Sequence, residues 1–218
     1  MLLVPYYEHP AEQPAAWAAL VRAADRLHSV VVNPANGPGD APDAAFAAAA
    51  ARLRDAGVAV LGYVDTDYGR RPHADVVQEL LRHRDWYATD GAFLDQAAAG
   101  AECLPHYRRL AVAARAAGAR TLVLNHGTHP HHPGFAEIAD LLVTFEGPWE
   151  VYRDAAAGAL PEWTAGHPAT RFCHLVHGVP PGTAPAAVSA LAAARHAGVH
   201  CAVSGTGAHP WRTLPRGM

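Results

Sequence analysis

The sequence predicts a compact (β/α)8 barrel forming one domain over residues 1–218, on three observations. Eight short apolar runs, each the length of a buried strand, alternate with longer stretches whose apolar residues recur at helical spacing. Several helical stretches stop at a glycine that leads straight into the next run. Polar and acidic residues collect at the C-terminal ends of the runs, where barrel enzymes place their chemistry. Alternation of strand and helix implies parallel pairing, because parallel neighbours need a crossover. A count of eight favours a closed barrel over an open doubly wound sheet. The missing GxGxxG after the first run weakens the dinucleotide-binding form of that alternative.

In chain order the runs are Leu2–Tyr6, Ser29–Asn33, Val58–Val64, Gly91–Asp95, Thr121–Asn125, Leu141–Glu146, Phe172–His177 and Val199–Ser204. Between the first two, Trp17, Leu20, Val21, Ala24 and Leu27 keep helical spacing. Val76, Val77, Leu80 and Leu81 do so before the fourth run, and Leu104, Tyr107, Leu110, Ala111 and Ala114 before the fifth. Val188, Leu191 and Ala192 precede the eighth. The glycine stops are Gly57, Gly118 and Gly198. Of the alanine runs, Ala47–Ala51 falls on a helix and Ala97–Ala99 reflects composition. The helix after the sixth run, 149–157, is poorly defined, and only a stub, Pro210–Leu214, follows the eighth.

Composition narrows the function. Net charge is −3 with histidine neutral, so there is no electrostatic footprint for nucleic acid or anionic lipid. All 17 basic residues are arginine. The absence of lysine excludes Schiff-base chemistry, a lysine-anchored pyridoxal phosphate and a Walker-A loop. Nothing else calls for a cofactor. Cys103, Cys173 and Cys201 form no CxxC pair and read as small buried residues in a reducing compartment. The opening MLLVPYYEHP has neither a basic n-region nor a long apolar run, so no signal peptide or membrane anchor is read there and a cytoplasmic location is expected. The alanine-rich helices carry no signal for a particular oligomeric state.

The strand ends hold the candidate site. They read Tyr6-Tyr7-Glu8, Asn33, Asp65-Thr66-Asp67-Tyr68, Asp95-Gln96, Asn125-His126, Glu146, His177 and Ser204. Side chains alternate faces along a strand. Asp95 then shares a face with Gly91 and Phe93, and Glu146 with Leu142 and Thr144, leaving Leu141, Val143 and Phe145 to pack on helices. Both carboxylates can point into the barrel mouth, converging to the roughly 5–9 Å span of glycosidase pairs. Two carboxylates are the minimum kit for glycoside hydrolysis: one protonated to serve the leaving oxygen, one ionised to attack carbon or activate water. Tyr6, Tyr63, Tyr68 and Trp149 suit stacking on sugar rings, and Arg70 and Arg71 suit polar or anionic substrate groups. Glu8, Asn33, Asp65, Asp67, Gln96, Asn125, His126 and His177 complete the candidate substrate contacts. The plainer reading of acids at strand ends is capping of helix N-termini, and for Asp65 and Asp67 ordering of their own loop.

Three further patterns carry weaker signals. His126, His129, His131 and His132 cluster, and Asp65, Asp67 and His177 are available to complete a metal site. Without HExxH, a solvated, proline-broken loop outweighs that reading, and no metal ligands are assigned. Ser204 lacks the GxSxG elbow and reads as part of a turn, its glycine-rich surroundings being only a weak phosphate signal. Cys173 and Cys201 alternate with apolar residues and read as core.

Four segments resemble spherulation-specific family 4, the spherulin-4 family. They are Tyr63-Val-Asp-Thr-Asp-Tyr-Gly-Arg-Arg-Pro72, Gly91-Ala-Phe-Leu-Asp-Gln96, Leu124-Asn-His-Gly-Thr128 and Phe145-Glu146. The opening Pro5-Tyr6-Tyr7 and Asn33-Pro34 also match, so the resemblance runs over most of the chain in order. It implies a (β/α)8 glycoside hydrolase cleaving α-1,4-linked galactosamine or N-acetylgalactosamine glycans, with Asp95 as nucleophile or stabiliser and Glu146 as general acid/base. Relatives are typically secreted. Two positions depart from the family pattern: Gln96 replaces the acid that follows the strand-four aspartate, and His126 replaces a proline. The competing expectations are a metal-dependent barrel hydrolase and a non-catalytic carbohydrate-binding barrel, the latter motivated by Gln96.

Overall fold

The structure, a computed structural model, describes residues 1–154 and 160–218. Eight parallel strands close into one barrel in sequence order. They are β1 (Leu2–Pro5), β2 (Leu27–Val32), β3 (Ala59–Asp65), β4 (Gly91–Asp95), β5 (Thr121–Asn125), β6 (Leu141–Pro148), β7 (Phe172–His177) and β8 (Val199–Ala202). The helices between them are α1 (Pro14–Arg22), α2 (Ala44–Asp55), α3 (His73–Tyr87), α4 (Leu104–Ala116), α5 (Gly134–Ile138), α6 (Trp149–Asp154) and α7 (Pro185–Ala194). The eightfold βα reading therefore holds.

The differences lie at element ends. Leu27, read as the last position of the first helical stripe, instead opens β2, because α1 stops at Arg22. β8 ends at Ala202, two residues short of the expected end. Of the weak helix at 149–157, the first six residues form α6, and 155–157 lie outside the described residues. Gly57 and Gly118 adopt the left-handed conformation expected of helix stops, with φ of 83° and 95°. After α7 that role falls to His196 at φ 58°, so Gly198 is not the stop. Pro14 and Pro185 open α1 and α7, where the missing N–H costs nothing. Asp43 caps α2, accepting from Ala45 N–H at 2.8 Å and Phe46 N–H at 3.0 Å.

Register shows which residues face the barrel axis. Paired positions in neighbouring strands share a face, linking Leu3, Ser29, Ala59 and then Leu61, Gly91, Thr121. Phe93, Val123, Leu141, Val143, Cys173 and Val199 are buried in the same interior cluster. Leu94, Leu122, Leu124 and Leu142 pack outward with α3 and α4. This reverses the alternation read for β6: Leu141 and Val143 face in, and Leu142 faces out. The cause is a bulge. Val143 pairs with Cys173 but Phe145 pairs with His174, leaving Thr144 unmatched. The extra residue resets the parity, so Phe145 turns out against Tyr152 and Glu146 turns in beside Leu175. Cys173 and Cys201 are free and wholly buried, as expected of core residues.

Among the described residues, no helix follows β8 to cover the wall between β8 and β1. Only a short 3-10 turn, Pro210–Arg212, follows β8, and an open groove of about 360 Å³ lies there, lined by Leu2, Val179, Val188 and Ala202 among others. The turn folds across the barrel mouth, with Tyr7 N–H donating to Trp211 C=O at 3.2 Å.

The outer wall is closely fitted at β3. A Cβ on Gly62 would lie 2.4 Å from Cγ of His83, whose Nε2 meets Tyr63 C=O at 2.7 Å. Gly62→Ala is expected to destabilise the barrel by about 1–3 kcal/mol. Chemical denaturation checks this, and His83→Ala in the Gly62→Ala background should recover part of the loss.

Candidate active site

β4, β5 and β6 deliver Asp95, Asn125 and Glu146 to the C-terminal mouth of the barrel. The Asn125 side chain ties the two acids together. Its Nδ2 donates to Asp95 Oδ1 at 2.6 Å and to Glu146 Oε2 at 2.5 Å. Its Oδ1 accepts from Gly127 N–H at 3.1 Å, which fixes the amide with its NH2 toward the carboxylates. Both amide hydrogens are thus used, one on each acid. A shared nitrogen places those two carboxylate oxygens no more than about 5 Å apart.

Two negative charges about 5 Å apart repel by roughly 3 kcal/mol at an effective dielectric of about 20, so the pair favours one shared proton. The surroundings decide who holds it. Asp95 accepts from Tyr63 Oη at 2.8 Å as well as from Asn125. Burial raises its pKa above the ordinary value of 3.8, and these hydrogen bonds oppose the rise. Glu146 is pushed up to about 7, first by burial and then by the Asp95 charge, with Asn125 and the Trp211 indole opposing. The shared proton therefore rests preferentially on the glutamate, and the aspartate is the more readily ionised partner.

The pair opens into a cavity of about 390 Å³. Its walls include Tyr7, Asn33, Tyr63, Phe93, Trp211 and Arg212. Tyr7 packs edge-on against Tyr63, with ring centres 5.6 Å apart. A second cavity of about 250 Å³ meets the same acids and is lined by Tyr68, Gln96, His126 and Gly127. The β3–α3 loop beside it is strained. Asp67 and Tyr68 in that loop, and Gln96 just after β4, have φ of 45°, 54° and 49°, each costing on the order of 1–3 kcal/mol for a residue other than glycine. Buried Thr66 holds the turn through bonds from its Oγ1 to Asp95 C=O at 2.8 Å and Gln96 C=O at 2.9 Å, and through Tyr107 Oη at 2.9 Å.

Of the residues singled out from sequence, Asn33, Tyr63, Tyr68, Asp95, Gln96, Asn125, His126 and Glu146 line these cavities. Six do not. Tyr6 is buried against Trp17, ring centres 5.4 Å apart, because it faces the helix side of its strand. Trp149 is buried with Tyr152, Val176 and Val188 outside the barrel wall. Asp65 Oδ1 accepts from Asp67 N–H at 2.7 Å, and Asp67 pairs with Arg70, so both order their loop. Arg71 likewise bonds Asp65 C=O at 2.7 Å and Glu79 at 2.5 Å. Glu8 pairs with Arg212 at 3.1 Å and so steadies a cavity residue. His177 rests edge-on against Trp211, ring centres 6.3 Å apart. Among the described residues, no group of three or more His, Cys, Asp or Glu is arranged to hold a metal ion.

Tyr7, Asn36, Trp211 and Arg212 were missed. The face alternation through Leu3 and Pro5 marks Tyr7 rather than Tyr6, but both neighbours are aromatic and only the register separates them. Trp211 and Arg212 come from a tail whose path no sequence pattern fixes.

The elevated Glu146 pKa has a stability consequence. The unfolded chain titrates this group near the ordinary glutamate value of 4.5, below its folded value of about 7. Its contribution is thus fully present below the unfolded value and is lost as pH rises through about 7. Glu146→Gln is expected to raise Tm by several degrees at pH 8 and to change it little at pH 4, as thermal melts at the two pH values would show.

Residues 1–217 match the family described as spherulation-specific family 4. Spherulin-4 of Physarum polycephalum is 33% identical over 150 residues, which is 66% of this chain and 44% of that protein. This chain thus spans less than half the length of that relative. The crystal structure of Aspergillus clavatus Sph3 in complex with GalNAc matches with a TM-score of 0.83 at 22% identity, covering 99% of this chain and 92% of Sph3. A chitinase from Chromobacterium violaceum matches with a TM-score of 0.50 at 16% identity, covering 82% of this chain and 68% of the chitinase. Both structural likenesses are of fold. The match to the family extends well beyond the four motifs, over nearly every residue, and the chain belongs to spherulation-specific family 4.

Proposed function

We propose that the chain is a glycoside hydrolase acting on α-1,4-linked galactosamine- or N-acetylgalactosamine-containing glycans, with Asp95 and Glu146 as its working pair. The observation that carries this reading is the Asn125 amide shared between two carboxylates of opposite protonation preference at an open cavity. The amino-sugar class is supported by Sph3, a barrel of the same shape solved with GalNAc bound.

The spacing of the pair suits the retaining mechanism, whose carboxyls stand about 5–5.5 Å apart. Glu146 gives its proton to the glycosidic oxygen as the C1–O bond breaks, and the bond's electron pair stays on that oxygen. Asp95 attacks C1 from the opposite face and forms a glycosyl ester. Glu146, now a carboxylate, takes a proton from water, and the water oxygen displaces Asp95 from C1. One water is consumed and both carboxyls return to their starting state. Tyr63 and Asn125 hold the Asp95 carboxylate in place for attack and stabilise its charge by hydrogen bonding when it leaves.

A second reading is a carbohydrate-binding barrel without turnover. Gln96 favours it, standing uncharged beside the acids where the family pattern has a carboxylate.

Asp95→Asn and Glu146→Gln are each expected to lower kcat on α-1,4-galactosaminide oligomers by at least about 100-fold. Reducing-end assays measure this, and wild-type protein inert across such oligomers while still binding them would leave the second reading. The pH profile of kcat/KM should be bell-shaped. Its acid limb lies above the ordinary aspartate range because Asp95 must ionise, and its alkaline limb lies near 7 because Glu146 must stay protonated.

A further inference from the structure

The two acids stand between cavities rather than at the end of one. Asp95, Asn125 and Glu146 line both the larger cavity beneath Trp211 and the smaller one beside Tyr68. A bond placed between the carboxylates therefore has space on either side of it.

The two spaces have different walls. The larger is bounded by the buried rings of Tyr63, Phe93 and Trp211, and its wall includes both Asp95 and the Tyr63 that donates to it. That enclosure suits the sugar whose anomeric carbon must meet Asp95 away from bulk water. The smaller has at its lip a large aromatic, Tyr68, that is 51% exposed. Its ring belongs to none of the apolar clusters among the described residues. Arg70 lies over the ring with its guanidinium carbon 5.5 Å from the centre.

The exposed ring contributes nothing to the core, yet the backbone that carries it is held in place. Its backbone is left-handed, as are those of Asp67 before it and Gln96 across the opening. Tyr68 N–H donates to Gln96 C=O at 2.8 Å, and Thr66 ties the same turn to Asp95 C=O. The Tyr68 loop is thus bonded to the strand end that bears Asp95, so the backbone that carries the ring keeps a set relation to that strand end. Rigid placement lowers the entropy lost on binding, and a flat ring offers an apolar face to the C–H side of a pyranose.

We infer that the opening at Tyr68 receives the leaving-group side of the glycan, and that Tyr68 is a specificity-determining residue selecting chains that extend beyond the cleaved bond. The assignment of sides rests on the glycosidase reading above; the aromatic platform does not. The released chain then departs through the smaller cavity while the glycosyl unit stays on Asp95.

Tyr68→Ala, Tyr68→Phe and Tyr68→Gly in the full chain test this. Two substrates separate the sides: an α-1,4-linked N-acetylgalactosamine oligosaccharide, and α-N-acetylgalactosaminyl fluoride, whose leaving group is too small to reach the ring. For Tyr68→Ala, kcat/KM on the oligosaccharide is expected to fall roughly three- to ten-fold, mostly through KM, with the fluoride unaffected. Tyr68→Phe should keep wild-type values. Tyr68→Gly should lose the same affinity while raising Tm, because glycine accepts the left-handed backbone; the loss is then not a folding defect. Equal losses on both substrates, or none on the oligosaccharide, would overturn the inference and leave the proposed chemistry standing. Calorimetric titration with the oligosaccharide covers the converse case. A chain that binds without cleaving, and binds more weakly as Tyr68→Ala, keeps the platform and loses the hydrolase. Undiminished binding by that variant overturns the platform, and a wild-type chain that binds no oligosaccharide overturns both.

Discussion

One amide group holds the mouth of this barrel together. Asp95 and Glu146 come from strands that are not neighbours, and they repel each other when both are charged. Asn125 lies on the strand between them and gives each a hydrogen bond. No other neutral side chain of that size offers two N–H donors on one atom. Gly127 completes the arrangement by donating to the amide oxygen, which leaves the NH2 only one way to face. The remaining difference between the acids is environmental. Each acid has a second side-chain donor, the Tyr63 hydroxyl for Asp95 and the Trp211 indole for Glu146, and burial raises both; Glu146 is pushed further, to about 7, by the charge of Asp95. A proton is thereby divided unequally between two otherwise similar groups, which is what acid–base chemistry at neutral pH needs.

That arrangement depends on a local fault in β6. Strict alternation carried from Leu141 and Val143, which face the axis, would send Glu146 outward. Thr144, unmatched in the ladder, adds one residue and returns Glu146 to the axis. The bulge also turns Phe145 out, where it meets Tyr152 and His174 with ring centres 4.8 Å and 5.9 Å away. Packing on the outer wall and aim on the inner wall are set by the same irregularity.

The barrel is also asymmetric around its rim. The β3–α3 loop keeps left-handed residues beside the acids, held by the buried Thr66–Tyr107 contact. Across the mouth, the tail after β8 lays Trp211 and Arg212 over the larger cavity instead of forming an eighth helix. An open groove lies at the wall between β1 and β8.

Much of this was legible in the residues. Apolar runs of strand length, helical spacing between them and glycine stops specify the eightfold βα repeat, because burial of one face and termination of helices are local properties. The acids at the ends of runs four and six mark the mouth for the same reason, and the spherulin-4 motifs name the family. Other features arise only when strands pair. Alternation read within β6 reached the right direction for Glu146 through the wrong partners, since a bulge appears only against β7. Tyr6 and Tyr7 are chemically equivalent in the chain; register with β2 sends one to Trp17 and the other to the cavity. The Asn125 bridge joins residues 21 and 30 positions away in the chain. The Trp211 roof lies 65 positions from Glu146 and 116 from Asp95. Contacts of that range are fixed by barrel closure, which no local pattern encodes.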